Sequence, residues 1–358
     1  VLVTGAAGFI GSHVRAALGS KYRFWCIDRK PAGDLGESDV SDVVDLGCSS
    51  SLERIWSTRP EITGKLHAVI NLAAYYDFRN EPNPEYSRIN EGLEGLLGLL
   101  SRDAPAECVF VHAGSMATLA PVDPGQFQTE KTPRAGLWEY PRSKIRAEQI
   151  LDASAMQQPV VQLILAAVYS DWCELVPLYE WIELCAGRGP EKYFYPGPSG
   201  RGLTYCHVDD VVLAFDLALQ KFAGDGEYGK SSGKSSSKPV REKFLVGQGD
   251  PLNYQEIHER ACTAFAGKAT KLMRVPREVA TIGAHMTQLL GRLRGADSFI
   301  RPWMVAFAGE HFHFDLSHVR ELLGWEPRRS VHQDLEVMLK HAVKDREQWI
   351  KVNALRPR

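Results

Sequence analysis

Residues 1–14 read VLVTGAAGFIGSHV, three glycines set between an apolar strand and the start of a helix. Glycine at Gly5, Gly8 and Gly11 permits a tight turn, close approach of backbone N–H groups to a pyrophosphate, and close packing of helix on strand. The helix that opens at this point favours an anion at its N-terminus, with Phe9 and Ile10 beside it. A glycine triplet alone is a weak signal, and the strand-turn-helix context is what strengthens it. The next strand, RFWCID, ends in Asp28. A carboxylate there can accept both ribose hydroxyls of NAD and repel the extra phosphate of NADP. Arg29 and Lys30 follow and would suit that phosphate, so NAD is the expected cofactor and NADP stays open.

Outward from the turn, short apolar runs alternate with helical ones: HAVINLAA, the helix NEGLEGLLGLL, CVFVHAG, and VVQLILAAVYS. Near-continuous apolar strands separated by helices predict a parallel sheet buried on both faces, a Rossmann-type doubly wound α/β fold. The cofactor-binding domain is expected over 1–170. A smaller, mostly C-terminal substrate-binding region follows over 171–358, rich at first in aromatics, Gly and Pro, with segments near 201–222 and 243–250 returning to the first domain. Val279, Ile282, Met286, Leu289 and Leu293 keep helical spacing, which reads as a core or cap helix over 277–293. Its polar face is not strongly basic, which argues against a membrane-surface helix. The Ser/Gly/Lys-rich stretch from Gly224 to Lys243 reads as a surface loop.

Composition narrows the partners. With 358 residues, 44% hydrophobic, 24% charged and a net charge of −2, the chain is ordinary for a globular protein and carries no global field for nucleic acid. Seven scattered cysteines without a C-x-x-C pair fit a reducing, cytoplasmic setting, and no apolar run is long enough to span a bilayer. The sequence opens inside a strand, so an upstream targeting segment is left open.

In LWEYPRSKIRAEQI, Tyr140 and Lys144 stand four apart on one helix face. A lysine cation beside a phenol favours the phenolate, so the pair reads as an acid/base device. AGSMA lacks the G-x-S-x-G spacing of a hydrolase elbow. His311, His313 and Asp315 alternate as on a strand, but without further ligands they read as hydrogen-bonded histidines, and no metal is expected. Asp209 and Asp210 read as residues capping the start of a helix.

These pieces, with VDLG, RINEGLEGLL, HAGSMAT, HVDD and FDLSHVRELLGWEP, resemble in order and spacing the extended short-chain dehydrogenase/reductases, the NAD-dependent epimerase/dehydratase group. The glycine turn is T-G-x-x-G-x-x-G, as in that family. The resemblance implies that Asp45 and Leu46 lie by the adenine, that Leu72, Ala73 and Ala74 line the cofactor, and that Asn90 belongs to the same site. It also implies a catalytic Ser115, Tyr140 as the proton-transferring residue, and Lys144 on the nicotinamide ribose while lowering the tyrosine pKa. Dimers formed through helices flanking the sheet are common among such proteins, so a homodimer is implied.

Two departures bear on the substrate. LILAAVYSDWCEL lacks the Arg, Pro and Asn of the L-R-P-x-N-V-Y-G-P segment of nucleotide-sugar enzymes, and ATLA follows the serine in place of V-Y-G. Aromatic residues Tyr75, Tyr76, Trp172 and Trp303 are expected to face a hydrophobic hydroxy or keto compound. The helix over 277–293 also resembles the long apolar helix that hydroxysteroid dehydrogenases and dihydroflavonol reductases place before their closing D-x-S segment. The leading expectation is therefore oxidoreduction of a secondary alcohol and ketone. Nucleotide-sugar epimerisation or dehydration, with Arg188 or Arg201 on the diphosphate, comes second. A non-catalytic cofactor-sensing scaffold comes third.

Overall fold

The computed structural model describes residues 1–77, 80–224, 239–293 and 302–354, so most of the Ser/Gly/Lys-rich stretch lies outside the described residues. The apolar runs become the strands of one seven-stranded parallel sheet: β1 (Leu2–Thr4), β2 (Trp25–Asp28), β3 (Val40–Val43), β4 (Ala68–Asn71), β5 (Val109–Ser115), β6 (Val160–Leu165) and, from late in the chain, Arg241–Val246. Their order is Arg241–Val246, β6, β5, β4, β1, β2, β3, so the winding reverses between β1 and β4. Ligands of such sheets bind outside the strand C-termini at that reversal.

Alternation along the strands feeds two cores. Val3, Ile70 and Val111 point to one face, and Leu2, Val69 and Phe110 to the other. The second face is covered by α2 (Ser49–Ser57), with the short α3 (Pro60–Thr63) after it, and by α4 (Glu85–Asp103) and α5 (Glu139–Ala153). Here α4 runs so close to the turn after β3 that a Cβ on Gly92 would lie 1.9 Å from the Leu46 carbonyl oxygen. The first face carries α1 (Phe9–Leu18), which starts directly after Gly8.

VVQLILAAVYS, which reads as one strand, is two. At Ala166 the chain leaves the sheet: Ala166 N–H still donates to Val246, but Ala167 N–H donates to Thr204 at 3.2 Å. The continuation, β7 (Ala167–Tyr169), then pairs with a second strand of the smaller layer. That layer also holds α6 (Val176–Ala186), β8 (Phe194–Tyr195), β9 (Gly202–Leu203) and β10 (Tyr205–His207), the partner of β7. From β10 the chain returns along α7 (Val208–Phe222), packed on α1, and through β11 (Arg241–Val246), the edge strand of the sheet. Next come β12 (Leu252–Asn253), α8 (Tyr254–Ala266), β13 (Met273–Arg274), α9 (Arg277–Leu293) and α10 (Pro302–Phe307). The last helices are α11 (Val331–Lys344) and α12 (Arg346–Ala354).

Three expectations need correction. Asp210 does not cap its helix: His207 does, its Nδ1 accepting from Asp209 N–H at 3.2 Å. Fully buried, Asp210 instead accepts the Arg328 and Arg329 N–H groups, both at 3.0 Å. His311 and His313 lie outside any strand. His311 accepts Gly202 N–H at 3.2 Å and His313 bonds to the Gly249 carbonyl, so each imidazole serves to close a loop. Finally, α9 forms as expected but is turned inside out. Among its described side chains the buried one is Ala284, on the side that packs against α10, while Val279, Ile282, Met286 and Leu289 are exposed; the Leu293 side chain lies outside the described residues.

Candidate active site

The site assembles at the reversal between β1 and β4. Gly5 adopts φ +69°, and a Cβ there would lie 2.9 Å from Ala73 N, so the turn tolerates only glycine. At Gly11 a Cβ would lie 2.4 Å from the Gly5 carbonyl oxygen, which is how closely α1 approaches the turn. No side chain caps the N-terminus of α1. Asp28, at the end of β2, accepts Ala7 N–H at 3.0 Å and Lys30 N–H at 3.1 Å, so it fastens the glycine turn as well as closing its own strand. Arg29 pairs with Glu85 at 3.0 Å.

Thr4, at the end of β1, donates its hydroxyl to Asn71 Oδ1 at 2.6 Å, and Asn71 Nδ2 donates to His112 Nδ1 at 2.9 Å. This buried chain locks β1, β4 and β5 together under the site and was not anticipated from the sequence. Burial, and then the Lys144 cation, hold the His112 imidazole well below its ordinary pKa, so it is neutral.

Ser115 ends β5 and caps a short turn, its Oγ accepting Ala117 N–H at 3.3 Å. Tyr140 sits in the first turn of α5, its hydroxyl close enough to Ser115 for the serine to bear on its pKa, and its ring is met edge-on by the Tyr76 ring at 4.8 Å. Lys144, buried one turn on, donates to the Ala113 carbonyl at 2.8 Å. The trio predicted from the sequence is thus brought together. The predicted electrostatics are not. Burial raises the Tyr140 pKa, Ser115 only partly offsetting it, and Lys144 itself is lowered to about 8 by burial, with Glu148 pulling the other way. Desolvation outweighs the expected phenol-ammonium coupling.

A cavity of ≈ 480 Å³ runs from the glycine turn past this trio into the second layer. Gly5, Gly8, Phe9, Ile10, Gly11, Leu72 and Ala74 line its first part, and Ser115, Tyr140, Lys144 and Tyr76 its middle. Beyond them the wall is Trp181, Tyr195, Tyr205, Tyr254, Trp303 and Phe307, contributed by five different elements. Among the described residues Lys144 is its one charged lining residue.

Other expected residues lie elsewhere. Leu46, Ala73 and Asn90 border a small adjoining pocket on the α4 side of Tyr140 and Lys144, and Asn90 donates to the Ser143 carbonyl at 3.2 Å. Asp45 accepts Gly47 N–H at 2.9 Å and pairs with Arg88 at 2.8 Å. Trp172 does not face the cavity: left-handed Cys173 and Glu174 turn the chain, and its ring stacks on His341 at 3.9 Å. Tyr75 is also turned away, packed edge-on against Tyr86. Arg188 is exposed, and Arg201 pairs with Asp123 at 2.6 Å, so neither reaches the cavity. Cys185, His258 and Cys262 form a buried cluster away from it, with atoms within 4.8 Å. Burial keeps the Cys185 thiol protonated and His258 neutral, and the Lys192 cation bears on both.

Residues 1–230 match the family model described as the NAD dependent epimerase/dehydratase family. The chain belongs to that family. No curated protein matches it in sequence. Solved structures with the same fold as this NAD-dependent epimerase/dehydratase family member include UDP-glucose 4-epimerase of Thermotoga maritima, solved with UDP-glucose. It is 20% identical, covering 96% of this chain and 98% of that one, at a TM-score of 0.66. The dTDP-glucose 4,6-dehydratase of Bacillus anthracis, solved with NAD, is 20% identical over 98% of both chains, at 0.67. The UDP-glucose 4-epimerase of Thermus thermophilus, also solved with NAD, is 20% identical over 95% of this chain and 97% of that one, at 0.65.

Proposed function

We propose that this family member is an NAD-dependent oxidoreductase that interconverts an apolar secondary alcohol and its ketone. The observation that carries the reading is the cavity wall: it passes from Ser115 and Tyr140 straight into aromatic and aliphatic side chains, with no cation among the described residues beyond Lys144 to hold a diphosphate. A nucleotide diphosphate desolvated against such a wall would leave its charge unpaired, at a cost of several kcal/mol.

The glycine turn fits the cofactor, because Gly5 and Gly11, where a Cβ would strike the Ala73 and Gly5 backbone, let the turn fold tightly onto the uncapped α1 terminus, whose free N–H groups would face a pyrophosphate. Asp28 would take the adenosine ribose hydroxyls, and Lys144 the nicotinamide ribose. With Arg29 engaged by Glu85, no free guanidinium stands beside Asp28 to favour NADP. When bound, NAD supplies the hydride acceptor or donor. Ser115 Oγ would hold the substrate oxygen by a hydrogen bond, and Tyr140 Oη would take the hydroxyl proton on oxidation and return it on reduction. The aromatic wall orients the rest of the substrate and excludes water.

The test is NADH formation with a panel of apolar secondary alcohols, alongside melting with NAD plus UDP, dTDP or GDP. NADH formation that Tyr140→Phe abolishes, with NAD-induced stabilisation retained, supports the reading. A melting shift with one nucleotide and no NADH from any alcohol assigns the site to a nucleotide sugar and overturns it.

A further inference from the structure

The outward face of α9 is unusual for a surface helix. Val279, Ile282, Met286 and Leu289 form one stripe at helical spacing and are between 54% and 62% exposed, while the stripe packed inward is small, with Ala284 only 1% exposed. Amphipathic helices normally bury their large apolar side chains. Upstream in the chain, Met273 of β13, 52% exposed, and its register partner Phe194 of β8, 44% exposed, are further large apolar side chains left open. Lys268, Lys271 and Arg274 are exposed at the approach to the helix, Arg277 pairs with Glu310 at 3.8 Å, and Glu278 is the single carboxylate between residues 268 and 289, so the positive charge that the polar face of the helix lacks stands in the segment before it. In a chain of net charge −2 this basic excess is local.

We propose that α9 and the preceding β13 segment dock on an anionic lipid surface. The apolar stripe would enter the boundary between headgroups and acyl chains, and the lysines and arginines would meet the anionic headgroups. A second copy of the chain fits less well, because a two-fold contact would set this basic border against itself. Position links the face to the cavity. The inward side of α9 packs on α10, whose Trp303, Met304 and Phe307 line the cavity, and partly exposed Phe194 lines it too. Docking would therefore bring the apolar end of the cavity to the phase in which an apolar alcohol or ketone collects. That last step rests on the proposed function, whereas the docking itself does not.

The experiment is co-sedimentation of the full chain with phosphatidylcholine vesicles, with and without phosphatidylglycerol. The expected result is binding to the anionic vesicles that high salt weakens. Ile282→Ser with Met286→Ser should lower the partition coefficient about tenfold or more. Lys268→Glu, Lys271→Glu and Arg274→Glu together should lower it about a hundredfold. Both variants should keep the wild-type melting temperature, since these side chains are exposed. No binding to either vesicle, or binding that both variants retain, overturns the proposal. So does a wild-type dimer in sedimentation velocity that the Ile282/Met286 variant converts to monomer, which assigns the face to a second copy. Because vesicle binding is read without turnover, inactivity on every alcohol would overturn the proposed function and leave this result standing.

Discussion

At the scale of single residues, Lys144 carries the sharpest consequence. Its folded pKa of about 8 lies below the ordinary lysine value of 10.5, so between those values the folded state binds fewer protons than the unfolded one. Stability of the free protein contributed by this group therefore rises with pH across that window, and the full desolvation penalty is present below pH 8. Affinity for NAD should run the opposite way, falling from pH 7 to pH 9 as the ammonium on the ribose is lost. Titration calorimetry across that range, with Lys144→Met as the reference, checks both signs: the variant should show neither trend. The Tyr140-Lys144 spacing was legible because helix geometry fixes which side chains share a face. The pKa values were not, since they depend on how much of the surrounding chain excludes water.

At the scale of elements, glycines decide how closely layers meet. Gly92 has no special dihedral, and nothing in its own helix marks it. Yet a Cβ there would strike the Leu46 carbonyl oxygen at 1.9 Å, so α4 sits on the turn after β3 only because that position is bare. Gly92→Ala should destabilise the fold by about 3 kcal/mol, measured by denaturant unfolding, because backbone cannot move aside as a side chain can. The α9 helix shows the complementary lesson. Periodicity predicted its existence and extent, but amphipathicity names two faces without saying which one meets the protein. Likewise, VVQLILAAVYS is apolar throughout and gives no sign that hydrogen bonding passes to another layer at Ala166.

At the scale of the whole molecule, the C-terminal quarter is tied back to the first domain by buried polar groups. Asp210 on α7 holds the Arg328 and Arg329 amides, and Tyr169 donates to Asp334 of α11 at 2.8 Å. Asp210→Ala would take the buried acceptor from the Arg328 and Arg329 N–H groups and should cost about 2 kcal/mol in thermal unfolding, with Asp210→Asn losing less because one acceptor remains.

The sequence alone determined the doubly wound sheet, the glycine turn and the pairing of Tyr140 with Lys144, because each rests on local spacing: strands alternating with helices, a turn only glycine can make, and helix periodicity. Ser115 came from the family resemblance instead. Only the tertiary structure decided which aromatics face the cavity. Tyr195, Tyr205 and Tyr254 line it while Trp172 does not. It also decided that α9 shows its large side chains to the outside. Those outcomes depend on how residues far apart in the chain compete for the same space, and no local pattern records that competition.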